Sequence, residues 1–320
     1  MRAFLLKRLL TLALTLLAAS AVVFAVLEVL PGNAAQMLMG PDAAPEAVAA
    51  LAEQLGLNQS AWQRYGQWLG ALLRGDMGLS YVYGTPVRDL VLERLAITVP
   101  LALLAMLLTV VLALLAGVYA ASRHRRLGDV GIMVLSQVGI AIPNFWFAIL
   151  LILLFSVKLQ WLAAGGFAGW SADEGGGLWA GLRSLLLPAV ALAVVQAAIL
   201  ARITRSAVLD VLREDFVRTA RAKGLHERAV LWHHVLRNAL IAVVTVMALQ
   251  FANLLAGTIV VENVFYLPGL GRLIFQSIAN RDLAVVRNCV LLLAAMVITI
   301  NFVVDMLYIS IDPRIKGDDL

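Results

Sequence analysis

Four lysines, four histidines and one cysteine bound the chemistry open to this 320-residue chain. Lys7, Lys158, Lys223 and Lys316 follow Leu6, Val157, Ala222 and Ile315, so no Gly-Lys pair opens a loop that cradles phosphates. His233 and His234 are adjacent and point apart on a helix. His124 and His226 are isolated, and no cysteine or close histidine spacing completes a zinc set. Cys289 lies in a hydrophobic run, where a thiol serves as a small core residue. Glu28, Glu262, Arg287 and Asp305 fall toward the ends of apolar runs, whereas an ion-coupled carrier needs such groups near mid-membrane. An intramembrane hydrolase would need a nucleophile-base pair within the spans, and none is evident. No catalytic residue and no metal ligand is assigned.

The densest charge lies between Arg202 and Asn238, where eight basic residues meet four acids. Val208, Val211, Leu212, Phe216 and Ala220 recur at the spacing of one helix face, and the pattern stops at Gly224. A second apolar face runs through Ala229, Val230, Trp232, Val235 and Leu236. The spacing predicts a helix, a glycine break and a second helix. Glycine suits such a reversal because it accepts positive φ and lets a partner backbone approach.

The elements that hold this segment are apolar. Hydrophobic residues make up 62% of the chain and charged residues 14%, and the mean hydropathy is +0.90. This composition excludes an ordinary soluble domain and predicts an all-α polytopic membrane protein. The net charge of +5 does not point to nucleic acid, because the basic residues cluster between spans. Six spans are expected: Leu9 to Leu27, Leu95 to Ser122, Val130 to Val157, Ser184 to Ala201, Ala239 to Val261, and Ala284 to Ile309. The first is longer than the hydrophobic region of a signal peptide and is expected to be uncleaved. Pro143 should kink the third span.

The chain thus divides into an N-terminal tail (1–8), a first span (9–30) and an external cap (31–94). A five-span core (95–311) carrying the charged segment at 206–237 follows, then a C-terminal tail (312–320). In the cap, Pro45 opens a short helix with Val48, Leu51 and Leu55 on one face. A second helix carries Trp62, Tyr65, Trp68, Leu69 and Leu72. Those aromatics suit either packing within the cap and an interfacial belt, or a docking face for a delivering protein. Excluding the long cap, sixteen basic residues fall in the two tails and the loops after spans two and four, against five elsewhere. Both termini and the charged segment are therefore expected in the cytoplasm.

At this segment the chain resembles the inner-membrane permeases of ABC importers, in the dipeptide/oligopeptide/nickel branch. Arg-Thr-Ala-Arg-Ala-Lys-Gly at 218–224 and Leu-Arg-Asn-Ala at 236–239 are similar to the branch's form of the EAA coupling loop. Of the general pattern Ala220, Gly224 and Leu236 match. Arg218, Thr219, His234 and Arg237 replace its Glu, first Ala, Ile and Pro. Glu-Asn-Val-Phe-Tyr-Leu-Pro-Gly-Leu-Gly-Arg at 262–272, Pro-Asn-Phe-Trp at 143–146 and Gly-Asp-Met-Gly-Leu-Ser at 75–80 are also similar to segments of that branch.

The resemblance implies that Arg218, Thr219, Ala220, Arg221, Ala222, Lys223, Gly224, Leu225, His226, Glu227 and Leu236 couple to an ATPase. It implies a periplasmic gate or docking role for Glu262, Phe265, Pro268, Gly269, Gly271, Arg272 and Asp282. The partners it implies are a second permease, two ATP-binding subunits that hold the ATP and Mg, and a periplasmic binding protein, all at a bacterial inner membrane. Uncharged polar residues within the spans could line a pathway: Gln137, Asn144, Gln196, Gln250, Asn253 and Asn288. Most such groups bond between helices. A stand-alone ion-coupled carrier or channel is the alternative.

Overall fold

In the computed structural model of the chain, residues 2–29, 35, 39, 40, 43–54 and 56–311 are described. They form eleven helices. These are α1 (Arg2–Val29), α2 (Pro45–Gln54), α3 (Ala61–Leu73), α4 (Val87–Ser122) and α5 (Leu127–Ala141). Next come α6 (Asn144–Lys158, π-helical from Ile152), α7 (Leu178–Val211), α8 (Asp215–Ala222) and α9 (Glu227–Val264, π-helical over Val230–Val235). The last two are α10 (Leu270–Ala279) and α11 (Leu283–Ile311). Leu55, the side chain of Asp305 and the tail 312–320 with its Asp-Pro-Arg lie outside the described residues.

Among the described residues five helices are long and apolar enough to cross a membrane: α1 from Leu6, α4, α7, α9 and α11 to Val304. The bent pair α5–α6 makes a sixth if it is one span. The chain is therefore an all-α polytopic membrane protein. Pro143 breaks this third span outright, with α5 and α6 meeting at 104°. The reason is local: Cδ of a proline clashes with a helical predecessor, so Ile142 is extended at φ −86°, ψ 123°, and Pro143 then starts α6.

The chain forms two compact units, Met1–Thr98 with Pro268–Thr299, and Val99–Leu267 with Ile300–Leu320. In the first, Ser60 and Gln63 form a reciprocal capping box that starts α3. Tyr65 and Trp68 then face α1: the Phe24 ring lies 5.3 Å from Tyr65 and 6.0 Å from Trp68. The Tyr65 hydroxyl is 2.8 Å from Ser20 Oγ. Phe24, Trp68 and Leu291 make a buried cluster. The cap aromatics thus split, with Tyr65 and Trp68 packed and Trp62 84% exposed.

In the second unit α7 is the central helix and packs against α9, α5 and α6. Its buried face is rich in alanine (Ala189, Ala191, Ala193, Ala197, Ala198 and Ala201), so neighbouring backbones can come close. The fourth span, expected over Ser184 to Ala201 with a few more residues at its inner end, is a longer helix that begins at Leu178 and runs to Val211. The expected continuous helix from Val208 to Ala220 is also broken, by a turn at Leu212–Glu214. Sequence periodicity missed this turn because an apolar face continues across it, with Val208 on one side and Val217 and Ala220 on the other.

Candidate functional site: a charged knuckle on a packed base

Beyond α7 the chain makes two reversals, and each has a local cause. Eight residues are too few to hold a helix in isolation, so α8 depends on burying Val217 and Ala220. These join Val118, Ala121, Val208, Val230, Val235, Leu236 and Ala239 in one apolar cluster. Phe216 points away from it and is exposed. The second reversal is a Schellman motif: Leu225 N–H donates to the Ala220 carbonyl and Gly224 N–H to that of Arg221. Gly224 sits at φ +80°, and a Cβ there would meet nothing within 4 Å. Backbone conformation therefore requires this glycine, and no neighbour in the chain approaches it.

Of the residues assigned to coupling, Ala220 and Leu236 are buried in this base. Arg218, Thr219, Arg221, Ala222, Lys223, Gly224, Leu225, His226 and Glu227 are exposed around the turn. Arg221 reaches across the reversal to Glu227, Nε to Oε1 at 2.9 Å. Arg218 pairs with Asp215 at 3.2 Å, and Thr219 Oγ1 donates to the Asp215 carbonyl at 3.0 Å. Exposed ion pairs contribute little stability, on the order of 0–1 kcal/mol, so they shape the surface rather than hold it. The result is a short charged projection on a rigid apolar footing.

One constellation escaped sequence reasoning. Asp129, in the first turn of α5, is only 3% exposed and accepts a two-pronged bond from Arg205 on α7. Arg205 Nε lies 2.5 Å from Oδ1 and its Nη2 2.7 Å from Oδ2. The Arg125 N–H adds a bond of 2.9 Å to Oδ2, and His124 Nδ1 lies 3.1 Å from the Arg205 guanidinium. The signal is present as an acid three residues after Arg-His-Arg-Arg, with an arginine just beyond the end of the fourth span. In the sequence Arg205 counts only as one of the eight basic residues of the segment. We expect Asp129→Ala to cost about 2 kcal/mol, because it strands the half-buried guanidinium. The double change Asp129→Leu/Arg205→Met should recover part of that loss. Thermal midpoints in detergent measure both, and an unshifted single variant would contradict the reading.

The residues assigned to a gate fall in both units and are described separately. In the second, Glu262 and Phe265 are buried near the end of α9. Tyr266 takes positive φ (52°) while Leu267 N–H returns to the Glu262 carbonyl, a Schellman ending without glycine. The Phe265 carbonyl accepts the Gly166 N–H at 2.8 Å. A Cβ on Gly165 would stand 2.3 Å from that oxygen, so close backbone approach explains one glycine of this loop. In the first unit, the Pro268 carbonyl accepts from Arg94 at 3.3 Å. Gly269 precedes α10, whose Leu270 N–H donates to Thr98 Oγ1 at 2.8 Å. Gly271 is buried and Arg272 half-buried.

Asp282 is fully buried and ties three segments. It accepts from Ser80 Oγ at 2.5 Å, from Val82 N–H at 3.2 Å and, as cap of α11, from Val285 N–H at 3.3 Å. The uncharged polar residues also divide. Gln137 and Asn253 are exposed on the isolated chain and Asn144 is half-buried. Gln250 Nε2 donates to the Gln196 carbonyl at 3.4 Å between α9 and α7, while buried Gln196 Oε1 has no hydrogen-bond partner among the described residues. Asn288 is committed to structure: Oδ1 accepts from Trp68 Nε1 at 3.2 Å, and Nδ2 donates to the carbonyls of Met77 and Ala284 at 2.8 Å each.

Known proteins place this architecture. The family model for the binding-protein-dependent transport system inner membrane component matches residues 113–317, and the model of its N-terminal part matches residues 1–102. A Brucella abortus protein carrying a peptide transport system permease name is 42% identical, over 99% of this chain and all of its own length. The di/tripeptide transport system permease DppB of Pseudomonas aeruginosa is 40% identical, over 99% of each chain. The glutathione transport system permease GsiC of Escherichia coli is 40% identical, over 98% of each. Among solved structures, a chain of the MetNI methionine ABC transporter in inward-facing conformations superposes with a TM-score of 0.57 at 18% identity. It covers 70% of this chain and 96% of that one, which speaks to fold alone. The chain belongs to the family of binding-protein-dependent transport system inner membrane components, the membrane-spanning permeases of ABC importers.

Proposed function

We propose that this permease forms half of the translocation pathway of an ATP-driven importer for short peptides or similar small solutes. Similarity over whole chain length to permeases named for peptide, di/tripeptide and glutathione transport carries the cargo class. Its partners are a second homologous permease, two ATP-binding subunits and a periplasmic binding protein. ATP and Mg reside on the ATP-binding subunits, and this chain is non-catalytic. N- and C-termini face the cytoplasm with the knuckle at 206–237, and the cap at 31–94 faces the periplasm.

In this reading the ATPase pair pushes on the exposed turn from Thr219 to Trp232 as it closes on ATP. The footing of Val217, Ala220, Val230 and Val235 passes the push to the α4, α7 and α9 spans as a rigid-body motion. Densely packed side chains deform little, so the displacement is not dissipated locally. Tight cargo binding on both faces would slow release, so the delivering protein sets selectivity. The uncharged spans favour this over an ion-coupled carrier, which needs ionisable groups at mid-depth.

Capture of the assembled complex, followed by calorimetry of its binding protein with dipeptides, longer peptides and glutathione, tests the cargo. We expect a peptide-like ligand to bind. A binding protein that takes only sugars or inorganic ions would overturn the assignment.

A further inference from the structure

Where the apolar run of α1 ends at Glu28 and α11 begins at Leu283, the first unit carries an open-sided cavity of about 300 Å³. Phe24, Glu28, Arg64, Trp68, Tyr81 and Arg287 line it. Two guanidinium groups enter it incompletely satisfied. Arg64 pairs with Glu28 through Nη2, leaving its buried Nε without an acceptor among the described residues. Arg287 makes no ion pair among the described residues, and its buried Nε likewise lacks an acceptor. What holds Arg287 is aromatic: its guanidinium carbon lies 4.6 Å from the Trp68 ring centre and 5.8 Å from that of Phe24. Trp68 is itself fixed by its bond to Asn288. Such stacking orients a guanidinium without consuming its donors.

An unsatisfied buried N–H costs free energy, and two guanidinium groups with one each, lining the same cavity, suit an oxyanion. The depth identifies its source. The cavity lies at the polar end of a membrane-crossing run, where phospholipid headgroups sit, and its walls are part aromatic and apolar. Two acids complete the lining. Glu28 pairs through one oxygen, and Asp76 accepts the Gly78 N–H through Oδ1, so each keeps lone pairs for a cation. We propose that this cavity binds the headgroup of a zwitterionic phospholipid, with the phosphodiester on Arg287 and Arg64 and the ammonium toward Glu28 and Asp76. This site is separate from the coupling knuckle and does not depend on which solute is carried.

The test uses the assembled importer, delipidated in mild detergent and titrated with phosphatidylethanolamine, phosphatidylglycerol or soluble glycerophosphoethanolamine. Native mass spectrometry counts bound lipid, and the thermal midpoint reports occupancy. Phosphatidylethanolamine should bind and raise the midpoint, phosphatidylglycerol about tenfold more weakly for want of the ammonium contact. The acyl-free headgroup should give no shift at equal concentration. Arg287→Gln should weaken phosphatidylethanolamine binding at least about tenfold, and Arg287→Lys, which keeps charge but loses the fork, by a smaller factor. If Arg287→Gln does not fold, the lysine variant decides. Equal binding by wild type and the folded variant, equal binding of the two lipids, or an equal shift from the soluble headgroup would each overturn the proposal.

Discussion

Gly224→Val should leave the permease inserted and assembled while ATP hydrolysis continues and solute uptake falls about tenfold or more. The argument begins at one dihedral. Gly224 holds φ +80° at the Schellman reversal between α8 and α9, a conformation that costs an L-residue about 1–2 kcal/mol and a β-branched one more. A cost of that size is roughly tenfold in any equilibrium the turn controls. Nothing lies within 4 Å of the added side chain, so the penalty is conformational and falls on the shape of the knuckle. Gly224→Asn, whose side chain tolerates this region, should retain most uptake. Paired measurements of ATPase rate and uptake in proteoliposomes separate the two outcomes. Normal coupling in the valine variant would remove the knuckle from the mechanism.

The largest loss of stability should come from Asp282→Ala. Its carboxylate serves the Ser80 hydroxyl and the N–H groups of Val82 and Val285 in a site from which water is excluded. Each stranded buried donor costs about 1–3 kcal/mol, so the variant should lose on the order of 3 kcal/mol or more. Asp282→Asn keeps one acceptor oxygen and should lose about half as much. The loop at 78–83, released from α11, should become protease-sensitive before the rest of the first unit unfolds. Equal thermal midpoints and equal cleavage in wild type and the alanine variant would refute this. The structure gives Asp282 a definite structural task.

Much of the fold was legible because a bilayer imposes long apolar runs, and five of the six expected spans correspond to single membrane-length helices. The third is legible as apolar and kinked but not as broken. Proline was rightly read as a disturbance, yet its effect on Ile142 turns a kink into a break of 104°. The knuckle was legible at Gly224, where one residue type meets one dihedral. It was not legible at Leu212–Glu214, where a turn interrupts the backbone without interrupting the apolar face. The Asp129–Arg205 pair stayed hidden because its members lie 76 positions apart and only helix packing brings them together. Asn288 illustrates the converse: a polar residue in a span suggested a pathway, whereas its amide is used up on Trp68, Met77 and Ala284.

The central claim is that this chain supplies a gate and a lever while the motor resides on other subunits. Uptake into proteoliposomes by the purified chain, alone and together with its partner permease, ATP-binding subunits and loaded binding protein, tests it most directly. The account predicts no transport by the single chain under any ion gradient, and ATP-dependent uptake by the complete assembly. Gradient-driven transport by the chain alone would contradict it.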